Sequence, residues 1–243
     1  MRTTIALTVF VTCFAFVGSA FAQENAAPIT TANLQQAKLS FKIIKAGITL
    51  GTVEERFVRT GDNYKITSVT APSGALAWFY KDNMRFVSEG TINAEGLVPS
   101  QYDFSRKSDE SKAVRAKFDF TKKQIFAEFE GRAETFDLPA GTQDRLSSLY
   151  QFMFNVPTTD RVKTWMSQGK RADQFVYVKL GEETLTVNAT KYATVHYKRE
   201  AAPGESQAEL WLAKDSHYMP VRIVFTDKKG TTLEQVLTSA EFR

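Results

Sequence analysis

"VRAKFDF", residues 114–120, decides the class of this fold, because its apolar and polar residues alternate strictly. Alternation with a period of two places one set of side chains on each face of a β-strand. One face would be buried and the other exposed to water, which is typical of antiparallel sheets. "QIFAEFEG" follows the turn residues 121–123 and alternates in the same way, so residues 113–131 are predicted to form a β-hairpin.

Alternating runs of the same kind cover most of the remaining chain. About a dozen short strands in succession are typical of a sandwich, a barrel or a strongly curved sheet. We therefore predict a mainly β fold, built as a curved antiparallel sheet or a partly open β-barrel. The further predicted strands are 38–43, 53–59, 64–70, 84–92, 101–106, 174–180, 184–188, 192–199, 208–213, 221–226 and 232–238.

One segment, "DRLSSLYQFMFNVP" at 144–157, predicts a helix instead. Its apolar residues follow the i, i+3, i+4, i+7 spacing of a helical stripe. The predicted helix covers about 142–156, with Thr142 as its cap, Asp144 in its first turn and Pro157 beyond its end. Phe152 and Val156 lie off the stripe, so we expect this central amphipathic helix to make apolar contacts on two sides. The stripe consists of Leu146, Leu149, Tyr150 and Met153.

The first residues predict export. Arg2 is followed by an apolar run and by Ala20-Phe21-Ala22, the pattern of a signal peptide cleaved after Ala22. The predicted organisation is a signal peptide at 1–22, a flexible leader at 23–37 and a single β-rich domain at 38–243. Cleavage removes the only cysteine and lowers the formal charge from +4 to +3, so the mature chain would form no disulfides. We expect a periplasmic protein with no transmembrane segment in the mature chain.

Several stretches together resemble an exported proteobacterial family known as domain-of-unknown-function family 3108. They are "AGITLGTVEERF", "GLVPSQYDFSRK", "FDLPAGTQDRLSSLYQF" and "ELWLAKDSHYMPVRIVFTDKKG". The shared pattern consists of Gly51, Gly96-Leu97-Pro99 with Arg106, Asp144-Leu146-Ser147, and Trp211-Leu212 with Pro220 and Arg222. The resemblance spans nearly the whole mature chain. It implies a periplasmic location and a β-rich fold, and it implies no known activity.

No pattern of catalytic or metal-binding residues is evident in the sequence. His196 and His217 are the only histidines, too few for a typical zinc site without cysteine ligands. The adjacent carboxylates Glu54-Glu55, Asp109-Glu110 and Glu182-Glu183 are interpreted as solubilising charge. We therefore expect no enzyme, no metal and no cofactor, although a hydrolase with distant carboxylates stays an alternative. Lys and Arg are dispersed, so we also expect no nucleic-acid partner.

Aromatic residues provide the candidate ligand site. They cluster in "LAWFYKDNMRF" and in "LYQFMFNVPTTDRVKTWM". Such clusters either fill a core that lacks disulfides or line an apolar cavity between the sheet and the helix. The candidate ligand-binding residues are Trp78, Phe79, Tyr80, Tyr150, Phe152, Phe154 and Trp165.

Arg106 and Arg222 each follow or interrupt an apolar strand. Guanidinium groups suit carboxylate or phosphate partners. We expect either a structural ion pair, with Asp144 as a candidate partner, or contact with a ligand head group.

These observations favour a non-catalytic binding or carrier module for a hydrophobic, lipid-like ligand. The alternative is a structural or assembly factor that acts through contacts with an envelope protein.

Overall fold

The structure is a computed structural model that describes residues 33–74 and 82–243. One continuous sheet of 15 strands contains every described strand. Its strands are β1 Gln36–Lys45, β2 Ile48–Thr60, β3 Asn63–Pro72, β4 Met84–Asn93, β5 Gly96–Arg106, β6 Val114–Asp119, β7 Gln124–Phe129, β8 Arg132–Asp137, β9 Gln143–Asp144, β10 Arg161–Ser167, β11 Ala172–Val187, β12 Thr190–Arg199, β13 Gln207–Ala213, β14 Met219–Thr226 and β15 Thr232–Phe242. A helix, α1 Ser147–Phe154, and a short 3-10 turn at Glu110–Lys112 complete the fold.

The sheet is a meander in which nearly every strand pairs with its neighbours in sequence. Strands β1 to β8 run in order to one edge, and β15 back to β9 run to the other. The pairing of β1 with β15 joins the two halves in the middle of the sheet. All pairs are antiparallel except β9 with β10. The predicted mainly β fold, an antiparallel curved sheet with one central helix, is confirmed.

The alternation in the sequence corresponds to burial in the structure. In β6, Ala116 and Phe118 are buried while Arg115 and Lys117 are exposed, and β6 pairs with β7 as the predicted hairpin. Strands β8, β9 and β10 were not predicted. The two segments predicted at 174–180 and 184–188 form one long strand, β11, whose pairing with β12 shifts register between Lys179 and Gly181.

The last residues of the predicted leader belong to the fold. Leu34 is fully buried and β1 begins at Gln36, so the predicted start of the domain at residue 38 is corrected. The predicted signal peptide, residues 1–22, lies outside the described residues and stays a prediction. Across the described ranges, no helix is both long and apolar enough to cross a membrane.

Helix α1 contacts both halves of the sheet. Its Tyr150 and Phe154 rings lie 5.9 and 5.2 Å from the ring of Phe57 on β2. On another side of the helix, Phe152 lies 5.8 Å from Tyr197 on β12. Offset and tilted aromatic pairs of this kind each contribute about 0.5–1.5 kcal/mol beyond area burial. The expected contact on two sides is therefore observed, and Phe152, which lies off the stripe, makes one of the two.

The predicted start of the helix is corrected. Thr142 does not cap α1; its hydroxyl donates to the Pro139 carbonyl. The carboxylate of Asp144 instead accepts the backbone N–H groups of Leu146 and Ser147, at 2.8 and 2.9 Å. The first N–H groups of a helix lack intrahelical acceptors, so Asp144 satisfies two groups that would otherwise be unpaired. The residues before Ser147 belong to β9 and a turn, which explains why α1 is shorter than predicted.

The turn between β4 and β5 is fastened to α1 by side-chain amides. Gln151 donates to the Glu95 carbonyl and accepts the Leu97 N–H, each at 2.7 Å. Gly96 lies between these two residues with φ of +103°, and a Cβ there would stand 2.5 Å from Oε1 of Gln151. Glycine is therefore required at this turn both for its backbone conformation and for the approach of the helix.

Replacing Gly96 should destabilise the fold through the helix contact as well as the backbone. Gly47→Ala, in the β1–β2 turn, has a φ of +80° but no atom within 4 Å of its new Cβ. It should cost about 1 kcal/mol for backbone strain alone. Gly96→Ala should cost roughly 1–3 kcal/mol more, because Gln151 must move and lose its two hydrogen bonds. Urea denaturation of both variants measures the difference, and equal losses would contradict the proposed role of the Gln151 contact.

Candidate functional site

A cavity of about 400 Å³ lies between α1 and strands β10 and β11. Its apolar wall on the helix side includes Leu149 and Phe152, and its wall on the sheet includes Phe175 and Tyr177. The same side of the sheet carries Val195, Tyr197, Leu210 and Leu212, which pack around Phe152. Tyr177 is largely buried, and burial raises the pKa of its hydroxyl. Its ring lines the cavity beside Phe175.

This first cavity runs along the edge of β10. Residues 161–166 all line it, although successive side chains of a strand point to opposite faces of the sheet. Contact with six successive residues is expected only if the cavity follows the backbone edge of the strand. Backbone N–H and C=O groups of β10 therefore form part of the wall.

A second cavity, of about 880 Å³, adjoins the first. It lies beside the β4–β5 turn, with Leu97, Pro99, Phe120 and Leu138 among its apolar lining residues. We call the two cavities together the α1 groove, because they share lining residues, among them Gln151 of the helix and Asn155 just beyond its end. Residues that line both are Ala140, Gly141, Gln143, Gln151 and Asn155.

A chain of buried polar groups lies in the core rather than in the groove. The Ser88 hydroxyl donates to Asp144, and its oxygen lies 3.0 Å from the Tyr64 hydroxyl, which is therefore placed to donate. Burial raises the pKa of Asp144 to about 6, although the hydrogen bonds from Ser88 and from the start of α1 oppose the shift. Burial also raises the pKa of Tyr64, so its hydroxyl keeps its proton.

Glu55 corrects the interpretation of Glu54-Glu55 as solubilising charge. Glu54 is exposed, but Glu55 is on the opposite face of β2 and is buried. Ser68 donates to its Oε1 at 3.3 Å, and the nearby Tyr150 hydroxyl forms no hydrogen bond of ordinary geometry with Oε2. Burial raises the pKa of Glu55 to about 7. The alternation of Val53 and Phe57 around Glu55 was the signal in the sequence that it faces the core.

The structure separates the candidate ligand-binding residues. Phe152 and Trp165 line the first cavity. Tyr150 and Phe154 instead pack against Phe57, and neither is among the residues that line the two cavities. Trp78, Phe79 and Tyr80 lie outside the described residues. Sequence reasoning missed Phe175, Tyr177 and Leu210, which line the cavity from strands whose alternating pattern alone does not distinguish core from groove.

The structure does not bring Arg106, Asp144 and Arg222 together. Arg106 forms a salt bridge with Asp82 at the surface. Arg222 pairs with Glu234 at 2.8 Å and lies over the ring of Trp211. Both arginines therefore form structural ion pairs, but the candidate pairing with Asp144 is wrong.

The histidines do not form a joint site. His196 lies 2.8 Å from a carboxylate oxygen of Glu209 and stacks on Trp211 with ring centroids 4.0 Å apart. His217 instead packs against Phe242. Within the described part of the chain, no group of three or more His, Cys, Asp or Glu side chains is placed to hold a metal ion.

The model of the family described as "Protein of unknown function (DUF3108)" matches residues 36–238. No curated protein shows a significant match to the chain. A crystal structure of a β-barrel-like protein of domain of unknown function DUF1849 from Brucella abortus superposes with a TM-score of 0.54. The two share 10% identity over 86% of this chain and 98% of the other, so the likeness shows the fold alone.

Two further solved structures are more distant. A protein with a YmcC-like fold from Bacteroides fragilis gives a TM-score of 0.32 at 10% identity, over 85% of this chain and 96% of the other. The lipoprotein LppX from Mycobacterium tuberculosis gives 0.28 at 11% identity, over 86% and 87%. Both scores are too low to support a structural argument.

The buried Glu55 should make stability depend on pH. Its carboxyl has a pKa of about 7 in the folded state against 4.5 for the exposed group. Between these values the unfolded chain ionises while the folded chain retains the proton, so stability falls as pH rises through this window. From pH 4 to pH 8, Glu55→Gln should gain roughly 3 kcal/mol of unfolding free energy relative to wild type.

Urea denaturation at several pH values measures this gain. Glu54→Gln is the matched control, since the same change at an exposed neighbour should leave the pH dependence as in wild type. Parallel pH profiles for Glu55→Gln and wild type would show that Glu55 is not the group responsible. Asp144, whose pKa is also raised, should produce a residual slope in both variants.

Proposed function

The chain belongs to the DUF3108 family of proteins of unknown function, and we propose that it is a non-catalytic binding or carrier module for a hydrophobic, chain-like ligand. The α1 groove is the proposed site. The groove is the observation that carries the proposal, because it consists of two neighbouring cavities beside an apolar helix. Ligand sites typically have volumes of about 300–1,000 Å³, and the volume of each cavity lies in that range.

The shape of the groove favours an elongated ligand. A methylene group is similar in size to a water molecule, which takes about 30 Å³, so the 400 Å³ of the first cavity would hold on the order of a dozen chain carbons. Phe152, Phe175 and Tyr177 would contact such a chain along its length. A polar head group would then lie toward the second cavity, where Asn93, Glu95 and Lys123 are among the lining residues.

The position of the buried carboxylates supports a binding role without catalysis. Glu55 and Asp144 have raised pKa values, but neither lines the α1 groove. Asp144 caps α1, and Glu55 is enclosed by the core. Both are therefore assigned structural roles.

A periplasmic location accompanies this proposal. The predicted signal peptide would export the chain, and the cysteine-free mature protein would fold without disulfides in that compartment. An apolar ligand that crosses an aqueous compartment needs a protein that covers its hydrocarbon surface. The alternative role in protein contacts is favoured by a separate feature, the open edge of β10.

Val156→Arg should weaken ligand binding. Val156 lines the first cavity and is already 37% exposed, so the substitution should leave the fold intact while placing a charge on the apolar path. Affinity for a fluorescent fatty-acid probe should fall about tenfold, or roughly 1.4 kcal/mol. Ile48→Arg, at an exposed apolar residue at the start of β2, makes a similar change away from the groove and should bind as wild type does.

Native mass spectrometry of the purified protein provides an independent measurement. It should detect a retained lipid-like species in wild type and less of it in Val156→Arg. The proposal fails if wild type neither retains a lipid nor binds the probe saturably. If Val156→Arg and Ile48→Arg weaken binding equally, the α1 groove is not the binding site.

A further inference from the structure

Strand β10 is an edge strand for most of its length. It pairs with β11 along all of Arg161–Ser167, but β9 meets it only at Met166 and Ser167. On the side away from β11, residues 161–165 have no strand partner within 33–74 and 82–243. An edge of this kind presents a row of backbone donors and acceptors that another strand could pair with.

The pairing with β11 fixes which backbone groups face outward. The Lys179 N–H donates to the Asp160 carbonyl at 2.8 Å. Asp160 and Lys179 are therefore a hydrogen-bonded pair, in which the backbone groups of the two opposite residues point at each other. Antiparallel pairs alternate in kind along a strand. Val162 and Thr164 therefore point their backbone groups at β11, whereas Arg161, Lys163 and Trp165 point theirs at the open edge.

Lys163 is the central residue of this open edge. The Arg161 carbonyl already accepts a hydrogen bond from the Thr159 hydroxyl at 2.9 Å. For both Lys163 backbone groups and for the Trp165 N–H, the described residues provide no strand partner. The first cavity runs along these same residues, so it occupies the place of the next strand in the sheet.

The side chains around the edge differ in character on its two sides. Leu149, Phe152 and Val156 give an apolar wall on the side of α1. The side chains of Arg161 and Lys163 belong to the opposite face of the strand. Arg161 forms a salt bridge with Glu200, whereas the exposed Lys163 has no carboxylate within salt-bridge distance in the part of the chain described.

We infer that the open edge of β10 binds an extended polypeptide segment of a partner protein by strand addition. Only an extended backbone repeats the donors and acceptors that Lys163 and Trp165 present. Apolar side chains at alternate positions of the partner would face α1, and acidic side chains between them would face Lys163. A second copy of this chain is a poor occupant, because pairing two β10 edges would bring Arg161 and Lys163 close to their own copies.

The inference can fail separately from the proposed ligand although both use the first cavity, because only strand addition requires the outward backbone groups of β10. The probe is a hexapeptide of alternating Glu and Val that carries fluorescein on its N-terminal amine and is amidated at its C-terminus. Fluorescence polarisation should show saturable binding to the full mature chain. A peptide N-methylated at alternate amides, on the hydrogen-bonding side, should bind at least about tenfold more weakly because it cannot join the ladder.

Three variants separate backbone from side-chain effects. Lys163→Pro removes the outward N–H at an edge position where proline is tolerated, and it should weaken peptide binding at least about tenfold. Lys163→Gln keeps the N–H and removes only the charge, so it should weaken binding about two- to fivefold. Thr135→Pro places proline at an exposed position of the other edge strand, β8, and should leave binding unchanged.

Hydrogen–deuterium exchange of the wild-type protein tests the same inference without any substitution. The amides of Lys163 and Trp165 should become protected when the peptide binds, whereas those of Val162 and Thr164 are already bonded to β11 and should change little. The inference is overturned if the N-methylated peptide binds as tightly as its parent, or if the peptide leaves the exchange of Lys163 and Trp165 unchanged. Peptide binding without fatty-acid binding would support this inference and reject the proposed ligand, and the reverse result would do the opposite.

Discussion

The fold depends on one short helix that packs against both halves of an open sheet. The rings of Tyr150 and Phe154 pack against Phe57 on β2. The ring of Phe152 packs against Tyr197 on β12. A helix of eight residues has little stability in water by itself, because nucleation costs more than so few hydrogen bonds return. Each large apolar side chain that it buries contributes about 1.5–3 kcal/mol. The sheet therefore stabilises the helix, and the helix in turn covers apolar surface on both halves of the sheet.

Asp144 fixes where this helix begins. Removing a carboxylate from water is unfavourable, and the raised pKa of Asp144 reflects that cost. Hydrogen bonds from the Ser88 hydroxyl and from the N–H groups of Leu146 and Ser147 offset part of it. Because Ser88 is on β4, the same carboxylate ties the first turn of α1 to the N-terminal half of the sheet. A buried polar group with several partners restricts the core to one arrangement, which an apolar residue at this position would not do.

The local sequence pattern predicted those features in which one face of a strand or helix is buried. The alternation in "VRAKFDF" gave a strand and its hairpin, and the excess of apolar residues in the helix correctly indicated contact on two sides. Features that depend on distant partners were not predictable in the same way. Thr142 and Asp144 are both good capping residues, and the sequence does not show that Asp144 also accepts from Ser88 on β4 whereas Thr142 bonds to Pro139. The predicted exposure of Glu55 was wrong because Val53 and Phe57, two positions to either side, place it on the buried face of β2.

The path of the chain around β9 places α1 beside the open edge of β10. Asp144 is the last residue of β9 and also the acceptor for the first N–H groups of α1, so the chain leaves the sheet at the residue where the helix is fixed. Because β9 is parallel to β10, with Gln143 opposite Met166 and Asp144 opposite Ser167, the residues in register with 161–165 are 138–142. Those residues form a loop and turn rather than a strand, so the edge of β10 stays open before the chain reaches β9. Helix α1 begins after β9, and its apolar side chains line the first cavity beside that edge. The proposed ligand and the proposed peptide would therefore use the same groove, because the turn at 140–141 and the helix that follows β9 both line the first cavity.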